Sequence, residues 1–223
     1  MKRLLRPCNA LRKITITASF ALLMTGNPCL ASEQLLSLLG GYTGASSVTT
    51  RGDQPQRINI DAGNGFTLAW NSLQQERAPN IRIEYEFIAA HNTLHPQLPS
   101  EDGSRQQISL DVQHLHIGGL YQWQHTPHLA SYFGGTLGVT RMSIASGDSE
   151  LDPSIAFALG LKIPLGERIL ARIEVRIYGV MWDSDSAIFC STGGGLESGV
   201  CQFFINADLW WHQQLNAGLS FKF

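Results

Sequence analysis

The sequence predicts an all-β chain: an antiparallel transmembrane β-barrel of about eight strands, preceded by a signal peptide. Three observations predict it. Most of the chain after position 31 alternates apolar and polar residues with period two, the repeat of a strand whose faces meet different surroundings. Charged residues make up only 15% of the 223 residues, below the ~25% usual in soluble domains. No apolar run reaches ~18 residues without a charge, which excludes a bundle of transmembrane helices.

Residues 1–31 carry Lys2, Arg3, Arg6, Arg12 and Lys13 and no acid. An apolar stretch follows from Ile14 to about Met24, then Gly26-Asn27-Pro28-Cys29-Leu30-Ala31. This is the three-part layout of a secretory signal peptide, with cleavage expected after Ala31 and a barrel domain over 32–223. Asn27-Pro28 lacks the small apolar box of a lipoprotein signal. Residues 32–223 hold 11 Lys and Arg against 18 acids, a net charge of −7 that argues against nucleic acid as a partner. Cys190 and Cys201 are the two cysteines left after cleavage, an even count in an oxidising compartment. A disulfide between them would close a loop containing Ser191-Thr192-Gly193-Gly194-Gly195 and stabilise by roughly 2–3 kcal/mol in the chain-entropy model. Two free thiols are the alternative.

Seven strands follow from the alternation, and an eighth is placed near Leu38 to Ser47, around Leu39-Gly40-Gly41-Tyr42. Phe66, Leu68 and Trp70 alternate with Thr67, Ala69 and Asn71. Ile81, Ile83, Tyr85 and Phe87 alternate with Arg82, Glu84 and Glu86. Leu110 and Val112 alternate with Asp111 and Gln113, and Leu137 and Val139 with Thr136, Gly138 and Thr140. Ile155, Phe157, Leu159, Leu161 and Ile163 alternate with Ser154, Gly160 and Lys162. Ile169, Ala171, Ile173, Val175 and Ile177 alternate with Arg172, Glu174 and Arg176. Leu215, Ala217, Leu219, Phe221 and Phe223 alternate with Gln214, Asn216, Ser220 and Lys222.

A soluble sandwich would hide the apolar faces between two sheets; a membrane barrel turns them to lipid and its polar faces inward. The barrel is favoured by the export signal, by strands of about ten residues, and by connections that alternate short and long. Pro164-Leu165-Gly166-Glu167 and His125-Thr126-Pro127 are tight turns, whereas Thr93 to Gln106 and Asp183 to Val200 read as long polar outer loops. Trp70, Tyr121, Trp123, Tyr132, Trp182, Trp210 and Trp211 sit toward strand ends, where interfacial girdles belong.

The inward positions then collect charge: Arg82, Lys162, Arg172, Arg176 and Lys222 against Glu84, Glu86, Asp111 and Glu174. Charges in a narrow lumen are tolerable when paired or hydrated, and eight strands leave just enough room for side chains to fill. The expectation is a salt-bridged plug rather than a wide pore. His114 and His116 form an H-x-H that could share a metal, but no third ligand is evident, and polar aromatics near the membrane interface are the favoured reading. Arg51-Gly52-Asp53 matches a tripeptide bound by integrins, yet Gly-Asp also makes an ordinary turn. Asp183, Asp185 and Glu197 lack EF-hand spacing. None of the seven histidines stands in a His-x-Ser spacing and no G-x-S-x-G occurs. No catalytic residue, cofactor or metal is assigned.

A strand ending Gly218-Leu219-Ser220-Phe221-Lys222-Phe223 is similar to the terminal assembly signal of Gram-negative outer-membrane proteins, with Phe221 and Phe223 as its aromatic residues. Ile173-Glu174-Val175-Arg176-Ile177-Tyr178-Gly179, followed by Asp183 to Cys190, resembles the penultimate strand of opacity-protein-like and OmpW-like eight-stranded barrels. Leu115-His116-Ile117-Gly118-Gly119 and Gly134-Gly135-Thr136-Leu137-Gly138 look like their middle strands. The resemblance covers about residues 57 to 223. It implies an outer-membrane location and insertion by the barrel assembly machinery, and it implies no single activity. The expected role is non-enzymatic: a barrel that meets outer-membrane lipid and lipopolysaccharide, with outer loops open to a surface ligand. A porin-like narrow channel for small or hydrophobic solutes, as the OmpW-like resemblance allows, is the first alternative, and a lipid-modifying enzyme the second.

Overall fold

The computed structural model describes residues 33–51, 57–78, 80–99, 105–144, 149–181, 204–205 and 209–223. The signal peptide, Gly52-Asp53, Trp182, the 183–200 loop and both Cys190 and Cys201 lie outside the described residues. Eleven strands are described: β1 Gln34–Thr43, β2 Ser46–Arg51, β3 Arg57–Ala78, β4 Ile81–Pro99, β5 Arg105–Gln107, β6 Leu110–Thr126, β7 Leu129–Ile144, β8 Ser149–Pro164, β9 Ile169–Val180, β10 Phe204–Ile205 and β11 Trp210–Lys222. Eight of them close a ring in the order β3-β1-β11-β9-β8-β7-β6-β4, with β4 returning to β3. Every pairing is antiparallel. Closure removes free sheet edges from the ring, as a span through hydrocarbon requires.

The seam is β1 on β11, from Leu35 opposite Lys222 to Thr43 opposite Gln214. The first strand therefore starts earlier than its sequence expectation and breaks at Gly44-Ala45; β2 then continues it along the far part of β3. Tight connections at 127–128 and 165–168 lie at the end where Gln34 and Phe223 exchange backbone hydrogen bonds. The longer connections lie at the other end. One expectation is corrected there. Thr93 to Gln106 is not all loop: β4 runs to Pro99, and β5 pairs back onto it with Gln107 opposite Gln97.

The burial pattern has one phase on each strand. On β7, Tyr132, Thr136, Thr140 and Met142 point inward, while Phe133, Leu137 and Val139 point out. Leu38, Ile117, Leu137 and Leu159 are each at least 60% exposed. A contiguous belt of such side chains marks a surface that meets lipid rather than water. Tyr121 and Trp123 stack on Phe133 with ring centroids 5.7 and 5.3 Å apart, an aromatic patch toward the short-turn end. Trp70 and Trp211 also face outward. Tyr132 and Trp210 do not: both are buried inside the ring, so they leave the expected girdle and join the interior.

Candidate functional site

The barrel interior is the candidate site, and it is stratified along the axis. At the short-turn mouth, Lys222 Nζ lies 2.8 Å from Glu33 Oε1, and Arg82 reaches the other Glu33 oxygen at 4.0 Å. A cavity of about 410 Å³ opens there, lined in part by Glu33, Arg82, Glu84, Lys162 and Lys222. Lys162 donates to Glu84 Oε2 at 2.6 Å just inside it, and both side chains are buried.

The next layer is built from β9, where Arg172, Glu174 and Arg176 share the inward face at i, i+2 and i+4. Arg172 uses its whole donor fork. Its Nε donates to Tyr132 Oη at 2.8 Å, Nη1 to Asn71 Oδ1 at 3.1 Å and Ser37 Oγ at 3.4 Å, and Nη2 to Glu86 and Glu174 at 2.6 Å each. Arg176 donates through Nε to Glu174 Oε1 at 2.8 Å and through Nη2 to Glu86 Oε2 at 2.9 Å. Tyr132 in turn donates to Glu174 Oε2 at 2.8 Å, and Asn71 and Asn216 donate to Glu86 and Glu174. Gly160 makes room for this: a Cβ there would overlap Tyr132 Oη. With Lys162 and Glu84 these two layers hold three buried cations and three buried carboxylates; a fourth carboxylate, Asp152, is buried further along β8.

A third layer consists of imidazoles and hydroxyls. Thr140 donates to Ser154 Oγ at 2.8 Å, which leaves Thr140 Oγ1 to accept from His114 Nδ1 at 2.7 Å. Ser154 then donates to His116 Nε2 at 2.9 Å, and His116 Nδ1 donates to Thr136 Oγ1 at 3.1 Å. His212 Nε2 is 3.2 Å from His114 Nε2 and completes the chain as its first donor. The tautomers follow from the network. Tyr178 stacks on His114 at 3.9 Å and Trp210 on His212 at 4.3 Å. The H-x-H pair is thus interior rather than interfacial. His212 supplies a third imidazole, yet no group of three metal-binding side chains converges among the described residues.

The last layer, toward the long connections, is apolar. Ile58, Ile60, Leu94, Leu110, Val112 and Met142 are among its buried residues, with Trp210 at its base. This layer accounts for a second correction. Asp111 is not inward. Leu110 and Val112 occupy the inside, so Asp111 between them faces out, where it accepts from Thr93 Oγ1 at 3.0 Å. Arg82 and Lys222 do share the inward phase, but at the mouth, where they are partly exposed. Tyr132, Ser37 and Glu33 have no place in the interior expected from sequence, and Asn71, Thr136, Thr140 and Ser154, which the alternation sets on polar faces, are not marked there as partners of the charges and imidazoles. The phase of each strand marks them, since each shares a face with a charged neighbour. Phe221 and Phe223 point outward on the final strand.

Two serine–histidine contacts arise. Ser154 and His116 are sealed inside, with a threonine on the far nitrogen. Ser131 lies 2.6 Å from His125 Nε2 on the outer wall, and among the described residues no carboxylate is hydrogen-bonded to that imidazole. Neither has the oriented base of a nucleophilic site.

No family model matches the chain, and no curated protein matches it in sequence. Among solved structures it is similar to Neisserial surface protein A (NspA), at 11% identity and a TM-score of 0.48, over 86% of this chain and 97% of that one. It is also similar to Ail, the attachment invasion locus protein of Yersinia pestis, crystallised with the heparin analogue sucrose octasulfate. That match has 13% identity and a TM-score of 0.44, over 87% of this chain and 100% of that one. The closed antiparallel ring of eight strands, with apolar side chains outside and a hydrogen-bonded polar interior through its middle, makes this chain a small β-barrel with the side-chain distribution of a membrane-spanning one.

Proposed function

We propose that the chain is exported by residues 1–31, inserted into the outer membrane by the barrel assembly machinery reading Phe221 and Phe223, and held there as a plugged, non-enzymatic barrel. Its work is done on the outside, by the lipid-facing wall in contact with lipopolysaccharide and by outer loops presented to a surface ligand. Cys190 and Cys201 form a disulfide that closes the last outer loop. Thiol labelling of folded protein without reductant checks this: no reactive thiol is expected, and two would remove the bridge.

One observation carries the plug. Among the described residues, a paired layer of three cations and three carboxylates is followed by the imidazole layer and capped by an apolar layer, which supports an interior without a continuous polar path. An ion that crossed would have to displace the paired and the apolar layers. The paired layer is costly to break, and the apolar layer offers no ligand to a dehydrated ion.

The test is single-channel recording in a planar lipid bilayer, on protein shown to be folded by its heat-modifiable mobility. Silence is the expected result. Steady, reproducible openings would put the narrow channel first. Overexpression in a Gram-negative host is expected to leave the mass of lipid A unchanged; a shift by an acyl chain would replace this reading with a lipid-modifying enzyme.

A further inference from the structure

The outer wall carries a lipid site of its own. A cavity of about 510 Å³ lies across β3, β4, β6, β7 and β8 where the apolar belt ends on the side of the long connections. Its floor dips at Ala89, which stands between Leu68 on β3 and Leu115 on β6 in adjacent register. Leu115 continues the row to Val139 on β7. One position further out, the row changes character. Phe66 is opposite His91, His91 opposite Gln113, Gln113 opposite Arg141, and Arg141 opposite Leu151. Arg141 is exposed. An apolar trough therefore ends against a row of polar donors that includes a guanidinium.

We propose that this trough binds the acyl chains of a phosphorylated glycolipid of the outer leaflet, with a phosphate on Arg141; the inference rests on the outer-membrane reading above. Three features select that occupant. The site is on a lipid-facing wall, so its occupant is a lipid. It lies toward the long connections, which in such barrels face outside, so the leaflet is the outer one. It spans five neighbouring strands, about 19 Å at ~4.8 Å per strand, which fits several chains side by side rather than one. Among the described residues, Asp111 is turned toward β4 by its hydrogen bond with Thr93 and lies 3.9 Å from His91, and Glu150, next to Leu151, is on the inward phase of β8 with Asp152. The phosphate end of the ligand accordingly falls on the β7 side, where a guanidinium makes paired hydrogen bonds to phosphate oxygens.

The test titrates the detergent-refolded full barrel with lipid A, with lipid A stripped of its phosphates, and with phosphatidylglycerol, reading retention by native mass spectrometry. Arg141→Gln removes the cation. Ala89→Leu fills the trough. Ala217→Leu makes the same change on β11, away from the trough, as the control. Heat-modifiable mobility of each variant shows that it has folded, so loss of the barrel and loss of the lipid site read differently. Lipid A is expected to bind at least about tenfold tighter than either other lipid, that being the scale of one charged hydrogen bond. Arg141→Gln is expected to abolish the preference for phosphate, Ala89→Leu to weaken lipid A about tenfold, and Ala217→Leu to change nothing. Equal retention of the three lipids by the unmodified chain, or equal weakening by Ala89→Leu and Ala217→Leu, would overturn the site.

Discussion

The two ends of the barrel are built from the same strands with opposite rules. Within the belt, β6 turns Leu115, Ile117 and Tyr121 out and His114 and His116 in. A few residues earlier on the same strand, Asp111 and Gln113 face out and Leu110 and Val112 face in. On β7 the phase again continues without a break, from Val139 out and Thr140 in to Arg141 out and Met142 in. On β3 the inversion coincides with a register irregularity between Asp61 and Asn64, after which the inward positions switch parity. The solvent changes, not the strand. Where lipid surrounds the wall, apolar side chains belong outside and the polar ones must satisfy one another within. Where water surrounds it, the usual burial of apolar side chains returns.

The sharpest way to break the belt region is to unbalance its interior. Glu174→Ala removes a carboxylate that receives hydrogen bonds from Arg172, Arg176, Tyr132 and Asn216. Two buried guanidiniums then share Glu86 alone. A loss of about 3–5 kcal/mol is expected, as for other broken buried pairs, read as a lower urea midpoint for unfolding from lipid vesicles. An unchanged midpoint would mean that water already screens these charges and that the plug is not a dry one.

The contrast between regions is itself open to measurement on a single strand face. Leu137 and Ser143 both point outward on β7, one in the belt and one beyond it. Leu137→Arg is expected to cost about 2–4 kcal/mol, the penalty for a cation on the lipid face near mid-membrane. Ser143→Arg is expected to stay within about 0.5 kcal/mol, as for an ordinary surface change. Equal costs in the same vesicle unfolding assay would erase the boundary drawn between Val139 and Arg141.

That boundary also explains what could be read in the sequence. The belt strands were legible because apolar-out and polar-in make a clean period of two. Glu84, Glu86, Lys162, Arg172, Glu174 and Arg176 were placed inward on that rule alone. Past the boundary the alternation persists with its sign reversed. A reading that assigns apolar residues to lipid everywhere turns Leu110 and Val112 out and Asp111 in, and it takes polar His95 and Gln97 for loop. Tyr132 and Trp210 depart from the girdle for a related reason: aromatic residues near strand ends suit an interface, and only the phase of their neighbours puts them inside. Partners across the ring, such as Asn71 for Arg172 or His212 for His114, depend on closure and register, which no local pattern carries.

The weakest contact in the interior gives the finest comparison, because it sets a wet ion pair against the dry ones. Glu33 meets Lys222 at 2.8 Å and Arg82 at 4.0 Å, geometry as short at its best as the Lys162–Glu84 pair deeper in. The difference is solvent. Glu33 and Lys222 side chains are 26% and 42% exposed, whereas Lys162 and Glu84 are each 2% exposed. Water and salt screen the mouth, and the entropy of holding a lysine opposes the pairing, so Glu33→Ala is expected to cost only about 0–1 kcal/mol, fading further in high salt. Glu84→Ala is expected to cost several times more and to depend less on salt, since Lys162 and Glu84 are almost fully buried at the inner end of the mouth cavity. The two variants measured side by side at low and high salt locate the level at which the lumen becomes dry. If Glu33→Ala were as costly as Glu84→Ala, the dry zone would begin at the mouth; if Glu84→Ala were as mild as Glu33→Ala, water would reach at least to Lys162 and the barrier would rest on the guanidinium and apolar layers alone.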